Sequence, residues 1–285
     1  MKFIEILKAI FLGIVEGITE WLPVSSTGHM ILVDEFISLK VSPEFMELFL
    51  VVIQLGAICA VPVFFFSKLN PFSKKKSEEE KKATWSLWAK VVVGVLPAAV
   101  IGVLLDDFLD KHLYNYIVVS IALVVYGVVF IIIEKRRKNK AECGELSSYR
   151  IEQIEDLTYR DALTIGAFQV LSLIPGTSRS GSTIIGGMLT GVSRSVSAEF
   201  SFFMAIPVMV GASLLKIVKF LAEGYSVTSD ELLLLFIGII ISFLVSLAAI
   251  KFLMDFVKRH TFIPFGIYRI VLGITVLLFF VVKAF

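Results

Sequence analysis

Cysteine is almost missing from this 285-residue chain, which has only Cys59 and Cys143. One lies in an apolar run and the other in a basic loop, so neither a disulfide framework nor a cysteine metal site follows. Histidine is nearly as scarce, with His29, His112 and His260. Charged residues make up 18% of the chain, where average soluble domains carry about 25%, and they gather in a few loops. The apolar runs are continuous rather than alternating, which excludes a β-barrel. No small-x-small site ends the N-terminal apolar run, and Glu5, Lys8, Glu16 and Glu20 interrupt it, so a cleaved signal peptide is not expected. The net charge of +2 is small, and no nucleic-acid partner is expected.

What the chain does have is oil. Hydrophobic residues make up 57% of it, 25 of them phenylalanine, and the mean hydropathy is +0.87. Runs such as 49–66 and 232–250 are long enough for a helix to cross ~30 Å of hydrocarbon. The reading is an all-α integral membrane protein. Each half holds five apolar segments: 3–20, 26–38, 44–66, 87–105 and 115–134, then 160–174, 181–193, 197–221, 231–254 and 264–283. The first two of each half are too short to span and meet at a Pro/Ser/Gly turn, the pattern of a re-entrant hairpin. Three full crossings per half remain, an odd number, so the second half (151–285) should be inverted relative to the first (1–150). The hairpins fall at about 3–38 and 160–193, and the two halves form a single functional unit.

Loop charges fix the expected orientation. Lys68, Lys74–Lys76, Lys81 and Lys82 follow the first crossing, Lys135–Lys138 with Lys140 follow the third, and Lys251, Lys258 and Arg259 fall near 251–262. All lie on one side of the proposed topology, and the positive-inside rule makes that side the cytoplasm. The opposite loops are acidic or mixed, with Asp106, Asp107, Asp110 and Lys111 in one, and Glu223, Asp230, Glu231, Lys216 and Lys219 around the other. Both termini are then outside. The first hairpin enters from the outside and the second from the cytoplasm. Glycines in 94–102 and Gly186-Gly187 are read as close helix packing.

The two hairpin turns resemble each other. Sliding the chain by 153 residues lays Gly13 on Gly166, Glu16 on Gln169, Thr19 on Ser172, Ser25 on Ser178, Thr27 on Ser180 and Gly28 on Gly181. Polar, broken helix repeated at one offset in a membrane protein marks the place of function. Glu16 and Glu20, four apart, share one helix face, and their repulsion needs a proton, an arginine or a divalent cation. Ser25, Ser26, Thr27 and Gly28 start the second short helix, where hydroxyls cap free N–H groups and the helix end favours phosphate. His29, three residues after Ser26, is placed to activate it as a nucleophile, to activate water directly with Ser26 as a binding hydroxyl, or to lie at the interface. In the second turn, Gly176, Thr177, Ser178, Ser180 and Thr183 form an anion nest around Arg179, whose planar fork matches phosphate. Gln54 either reaches this site or bonds between helices, and Arg194 with Glu199, five apart, read as a structural ion pair or as interface anchors.

Glu16-x-x-x-Glu20 with Pro23-Val-Ser-Ser-Thr-Gly-His29, followed some 150 residues later by Pro175-Gly-Thr-Ser-Arg-Ser-Gly-Ser-Thr183, resembles the bacterial undecaprenyl-diphosphate phosphatase family, also known for bacitracin resistance. The resemblance runs over the whole chain. It implies an enzyme of the bacterial cell (inner) membrane that removes one phosphate from undecaprenyl diphosphate, yielding the carrier for envelope polymers. It also implies a functional set of Glu16, Glu20, Ser26, His29, Ser178 and Arg179, and a divalent cation (Mg2+ or Ca2+) on Glu16 and Glu20. Ser25, Thr27, Gly28, Gly176, Thr177, Ser180 and Thr183 complete the expected phosphate cradle. The expected partners are the prenyl diphosphate and membrane lipid, and a homodimer is compatible with the sequence. The competing reading is a polyprenyl-phosphate flippase using the same midplane site, since broken inverted repeats are also transporter anatomy.

Overall fold

The computed structural model describes residues 3–142 and 149–284. Cys143 lies outside them, as do the side chains of Asp106, Asp107, Asp110, Lys111 and Lys140. The described chain is helical: α1 (Phe3–Thr19), α2 (Ser26–Phe36), α3 (Pro43–Phe64), α4 (Phe66–Leu69), α5 (Glu78–Leu113), α6 (Tyr116–Glu142), α7 (Tyr159–Val170), α8 (Arg179–Leu189), α9 (Arg194–Ala222), α10 (Ser229–Val257) and α11 (Ile263–Ala284). Six of these, α3, α5, α6, α9, α10 and α11, are long and apolar enough to cross a membrane, so the chain is a multi-pass membrane protein. At 11 residues each, α2 and α8 rise only about 16 Å, short of a crossing.

Polar residues set the helix ends. Ser77 with Glu80 and Thr228 with Glu231 form capping boxes that start α5 and α10, while Ser42 and Ser193 cap α3 and α9. Thr158 and Asp161 do the same for α7, where Asp161 also pairs with Arg150. Burial opposes ionisation of the Asp161 carboxyl, but hydrogen bonds from Arg150 and Thr158 outweigh it and hold the group below the usual carboxylate range.

The halves are interlocked rather than side by side. The first hairpin helix, α1, packs on α10 of the second half, and α7 packs on α5 of the first. Exchanging each helix for its counterpart (α1/α7, α3/α9, α5/α10, α6/α11) also turns the α3–α10 contact into α9–α5, and both occur. The α3–α9 and α6–α11 contacts map onto themselves. Glycine permits the close approach: a Cβ on Gly166 would lie 2.0 Å from the Gly94 carbonyl oxygen, and one on Gly13 would lie 2.9 Å from that of Gly238. Gly186 and Gly187 are equally crowded, against Phe168 and Ser197, whereas Gly102 meets only Leu173 at an ordinary 3.4 Å.

Arg194 and Glu199 are not partners. Five residues apart on α9, they face different neighbours: Arg194 forks onto Glu134 of α6 at 2.8 and 2.5 Å, while Glu199 takes Lys68 at 2.6 Å. Glu134 is buried and also accepts the Phe262 amide at 2.9 Å, so it fastens α6 to the starts of α9 and α11. Glu134→Ala should therefore lower stability by about 3–5 kcal/mol, because it leaves a partly buried guanidinium and an amide unmatched. Thermal unfolding in detergent reads this, with turnover of the folded fraction unchanged.

Candidate active site

The two turns meet inside the bundle. At the end of α1 the chain unwinds through Trp21–Val24, and Ser25 starts α2 with its side chain accepting the Gly28 amide at 3.3 Å. Ser178 starts α8 identically, accepting the Gly181 amide at 3.2 Å. Both serines have positive φ, 73° and 71°, the only described non-glycine residues that do. Such backbone costs on the order of 1–3 kcal/mol per residue and persists only where its surroundings enforce it. Matching strain at matching positions of the two turns marks them as built for something other than stability.

Charge from one half is neutralised by the other. The Arg179 guanidinium donates to Glu20 Oε1 at 3.0 Å and to the Ser201 carbonyl at 2.8 Å. Ser26 Oγ donates to the other Glu20 oxygen at 3.2 Å. Ser180 Oγ reaches back across the interface to the Leu22 carbonyl at 3.4 Å, and the Trp21 ring lies 5.8 Å from the Arg179 guanidinium carbon. Beside these groups lies a cavity of about 210 Å³, walled by both turns and by Gln54 of α3 and Met209 of α9. Glu20, Ser25, Ser26, Thr27, Gly176, Ser178 and Arg179 all line it.

Of the other expected residues, Glu16, Gly28, His29, Thr177, Ser180 and Thr183 do not line the cavity. Glu16 is buried next to Glu20, and its Oε1 has no hydrogen-bond partner. Thr183 Oγ1 donates to Ser201 Oγ at 2.7 Å, bracing the residue whose carbonyl holds Arg179. Gly28 packs on Leu123, and Gly176 (φ +88°) leaves no room for a Cβ, which would lie 2.6 Å from the Val119 carbonyl oxygen. His29 is turned away from Ser26: its Nδ1 meets the Ser25 carbonyl at 2.7 Å and its Nε2 the Tyr268 hydroxyl at 2.6 Å, with the two rings stacked. Both imidazole nitrogens are thus engaged, and the hydroxyl of Ser26 is bonded to a carboxylate rather than to the histidine. Among the described residues, no three His, Cys, Asp or Glu side chains gather as a ready metal site.

A family model described as Bacitracin resistance protein BacA matches residues 9–275. The chain belongs to the BacA family. It is 60% identical over 273 residues to the undecaprenyl-diphosphatase of Enterococcus faecalis (strain ATCC 700802 / V583), covering 96% of each chain. It is 58% identical over 277 residues to that of Acetivibrio thermocellus, covering 97% of this chain and 98% of the relative. A third undecaprenyl-diphosphatase, from Limosilactobacillus fermentum, is 54% identical over 281 residues, covering 99% of both.

This BacA-family site also rests on a residue that sequence reasoning passed over. Arg269 of α11 is fully buried and has no carboxylate. Its guanidinium donates to the Pro23 carbonyl of the first turn at 3.2 Å and to the Gly176 and Thr177 carbonyls of the second at 2.8 and 2.9 Å. One planar fork therefore staples both turns together. The available signal was a lone arginine within the last apolar segment, where an intramembrane charge is itself a functional pointer.

Proposed function

We infer that the chain is a membrane phosphatase that hydrolyses undecaprenyl diphosphate to undecaprenyl phosphate and inorganic phosphate, returning the lipid carrier to cell-wall synthesis. The single observation that carries this is the Glu20–Arg179 pair, formed between the two turns at a polar cavity inside an otherwise apolar bundle. Relatives 52–60% identical are named undecaprenyl-diphosphatase, which agrees with bond cleavage rather than lipid flipping. Release of the carrier is also the activity a bacitracin resistance family would need.

The chemistry follows from where charge must be met. In phosphoryl transfer, stabilisation of the equatorial oxygens dominates. Arg179 supplies a fixed fork, and the amides at the starts of α8 and α2 supply partial positive charge. Ser26 Oγ, already donating to Glu20, attacks the terminal phosphorus while its proton passes to the Glu20 carboxylate. The bond to the bridging oxygen breaks and undecaprenyl phosphate leaves. Water then hydrolyses the phosphoserine and releases phosphate. Rapid-quench trapping with terminally labelled substrate should capture phosphorylated Ser26 in the first turnover. Absence of labelled protein at every time point would reject the covalent step.

Glu16 and Glu20 suit a divalent cation. Both are hard oxygen donors, Glu20 faces the cavity, and the unpartnered Glu16 Oε1 is buried beside it. Magnesium or calcium held there would supply further neutralisation of the diphosphate oxygens. The exchange-symmetric helix contacts support reading the halves as inverted repeats, and the run of basic loops supports an orientation with the termini and the mouth of the first hairpin outside. A cysteine placed at Thr27 should therefore react with an impermeant reagent added from the outer face.

A further inference from the structure

A second cavity, of about 460 Å³, opens beyond the end of α3, between α4, the start of α5 and the turn at 154–156 that leads into α7. Gln54 at the first cavity lies within α3, whereas Lys68 at the second lies on α4, past the end of α3. Lys68, Lys76 and Lys90 all reach the wall, with the hydroxyls of Ser67, Thr84 and Ser86. Lys68 is matched by Glu199. Among the described residues, Lys76 and Lys90 have only neutral acceptors. Lys76 Nζ donates to the Lys68 carbonyl at 3.1 Å and to Thr84 Oγ1 at 2.7 Å, and Lys90 Nζ donates to the Glu155 carbonyl at 3.2 Å.

Lys90 is the telling group, because its residue is only 9% exposed. A buried ammonium with donors to spare and no counter-ion is unfavourable unless an anion completes it. The two carboxylates on the same wall do not do so. Glu80 is exposed and accepts the Ser77 amide at 2.6 Å, and Glu155 is exposed and gives Lys90 its carbonyl. A tetrahedral oxyanion would satisfy two ammonium groups and adjacent hydroxyls at once. Phe66 and Trp85, next in sequence to the lining residues Ser67, Thr84 and Ser86, are exposed, as aromatic side chains are at headgroup depth.

We propose that Lys76 and Lys90 form a phosphate-binding site separate from the hairpin cavity, filled by a phosphate group borne by free inorganic phosphate or by a phospholipid headgroup. It stands independently of the phosphatase reading. The test uses the full chain in the Arg179→Ala background, which silences the hairpin cavity. Inorganic phosphate is titrated calorimetrically, and dioleoyl phosphatidic acid or phosphatidylcholine is added before native mass spectrometry. We expect phosphate or phosphatidic acid to bind, with Kd raised at least tenfold by Lys90→Met and by Lys76→Met at unchanged thermal midpoint. Phosphate binding assigns the free anion, whereas phosphatidic acid binding that phosphate does not displace assigns the headgroup. Binding of neither probe, or binding equal in both variants and the parent, overturns the proposal.

Discussion

Arg179→Ala is expected to slow turnover of undecaprenyl diphosphate about a thousandfold, the scale on which single preorganised charge-stabilising donors act in dry sites. The guanidinium is held by the Ser201 carbonyl on one side and Glu20 on the other, so its fork is aimed before substrate arrives. Arg179→Lys keeps the charge but replaces two divergent N–H groups with a point donor, and should recover no more than about tenfold of the loss. Glu20→Ala should fall as far as Arg179→Ala, since it removes both the arginine's partner and the acceptor of the Ser26 proton. Phosphate release in detergent measures all three, with a thermal midpoint for each variant to separate chemistry from unfolding. Turnover within tenfold of wild type in Arg179→Ala would contradict the assignment.

Arg269→Met is expected to cost about a hundredfold in turnover without removing any group that faces the cavity, because misplacement of reacting groups by about 1 Å carries penalties of that size. Methionine fills the space but leaves the Pro23, Gly176 and Thr177 carbonyls unmatched, each worth about 1–3 kcal/mol when buried. Loss of the buried charge offsets part of that, so stability should fall by about 2–4 kcal/mol rather than by the full sum. Arg269→Lys cannot span both turns and should resemble the methionine variant in turnover. A measured kcat near wild type in either variant, with the thermal midpoint lowered, would mean the turns hold their geometry without the staple.

Much of this architecture was readable in advance, for physical reasons that differ by element. The six crossings follow from the length of the apolar runs, and four of the observed helices begin and end within a few residues of them; α5 starts earlier through the Ser77–Glu80 capping box and runs on to Leu113, and α6 continues past its apolar run to Glu142. The hairpin turns were legible because Pro, Gly and Ser interrupt oil twice at one spacing. That the two acids need a proton, an arginine or a divalent cation was legible from the cost of burying them, but which of these Glu20 takes, Arg179 of the other turn, comes from the structure. What was hidden depends on contacts that no periodicity encodes. Arg269 binds backbone carbonyls, which carry no residue signature. Tyr268, 239 residues from His29, takes the imidazole nitrogen expected near Ser26. Arg194 passes over the acid five residues ahead for one 60 residues behind, because spacing along a helix sets which face a side chain takes but not what lies opposite.

The account turns on one claim: that acid and arginine from different halves work as a single unit. A double-mutant cycle on phosphate release tests it most directly, using Glu20→Ala, Arg179→Ala and the two combined. If the groups act together, the double variant should be about as slow as the slower single variant. Losses that multiply, leaving the double variant slower by the product of both effects, would show that the two turns contribute separately and would contradict the shared site.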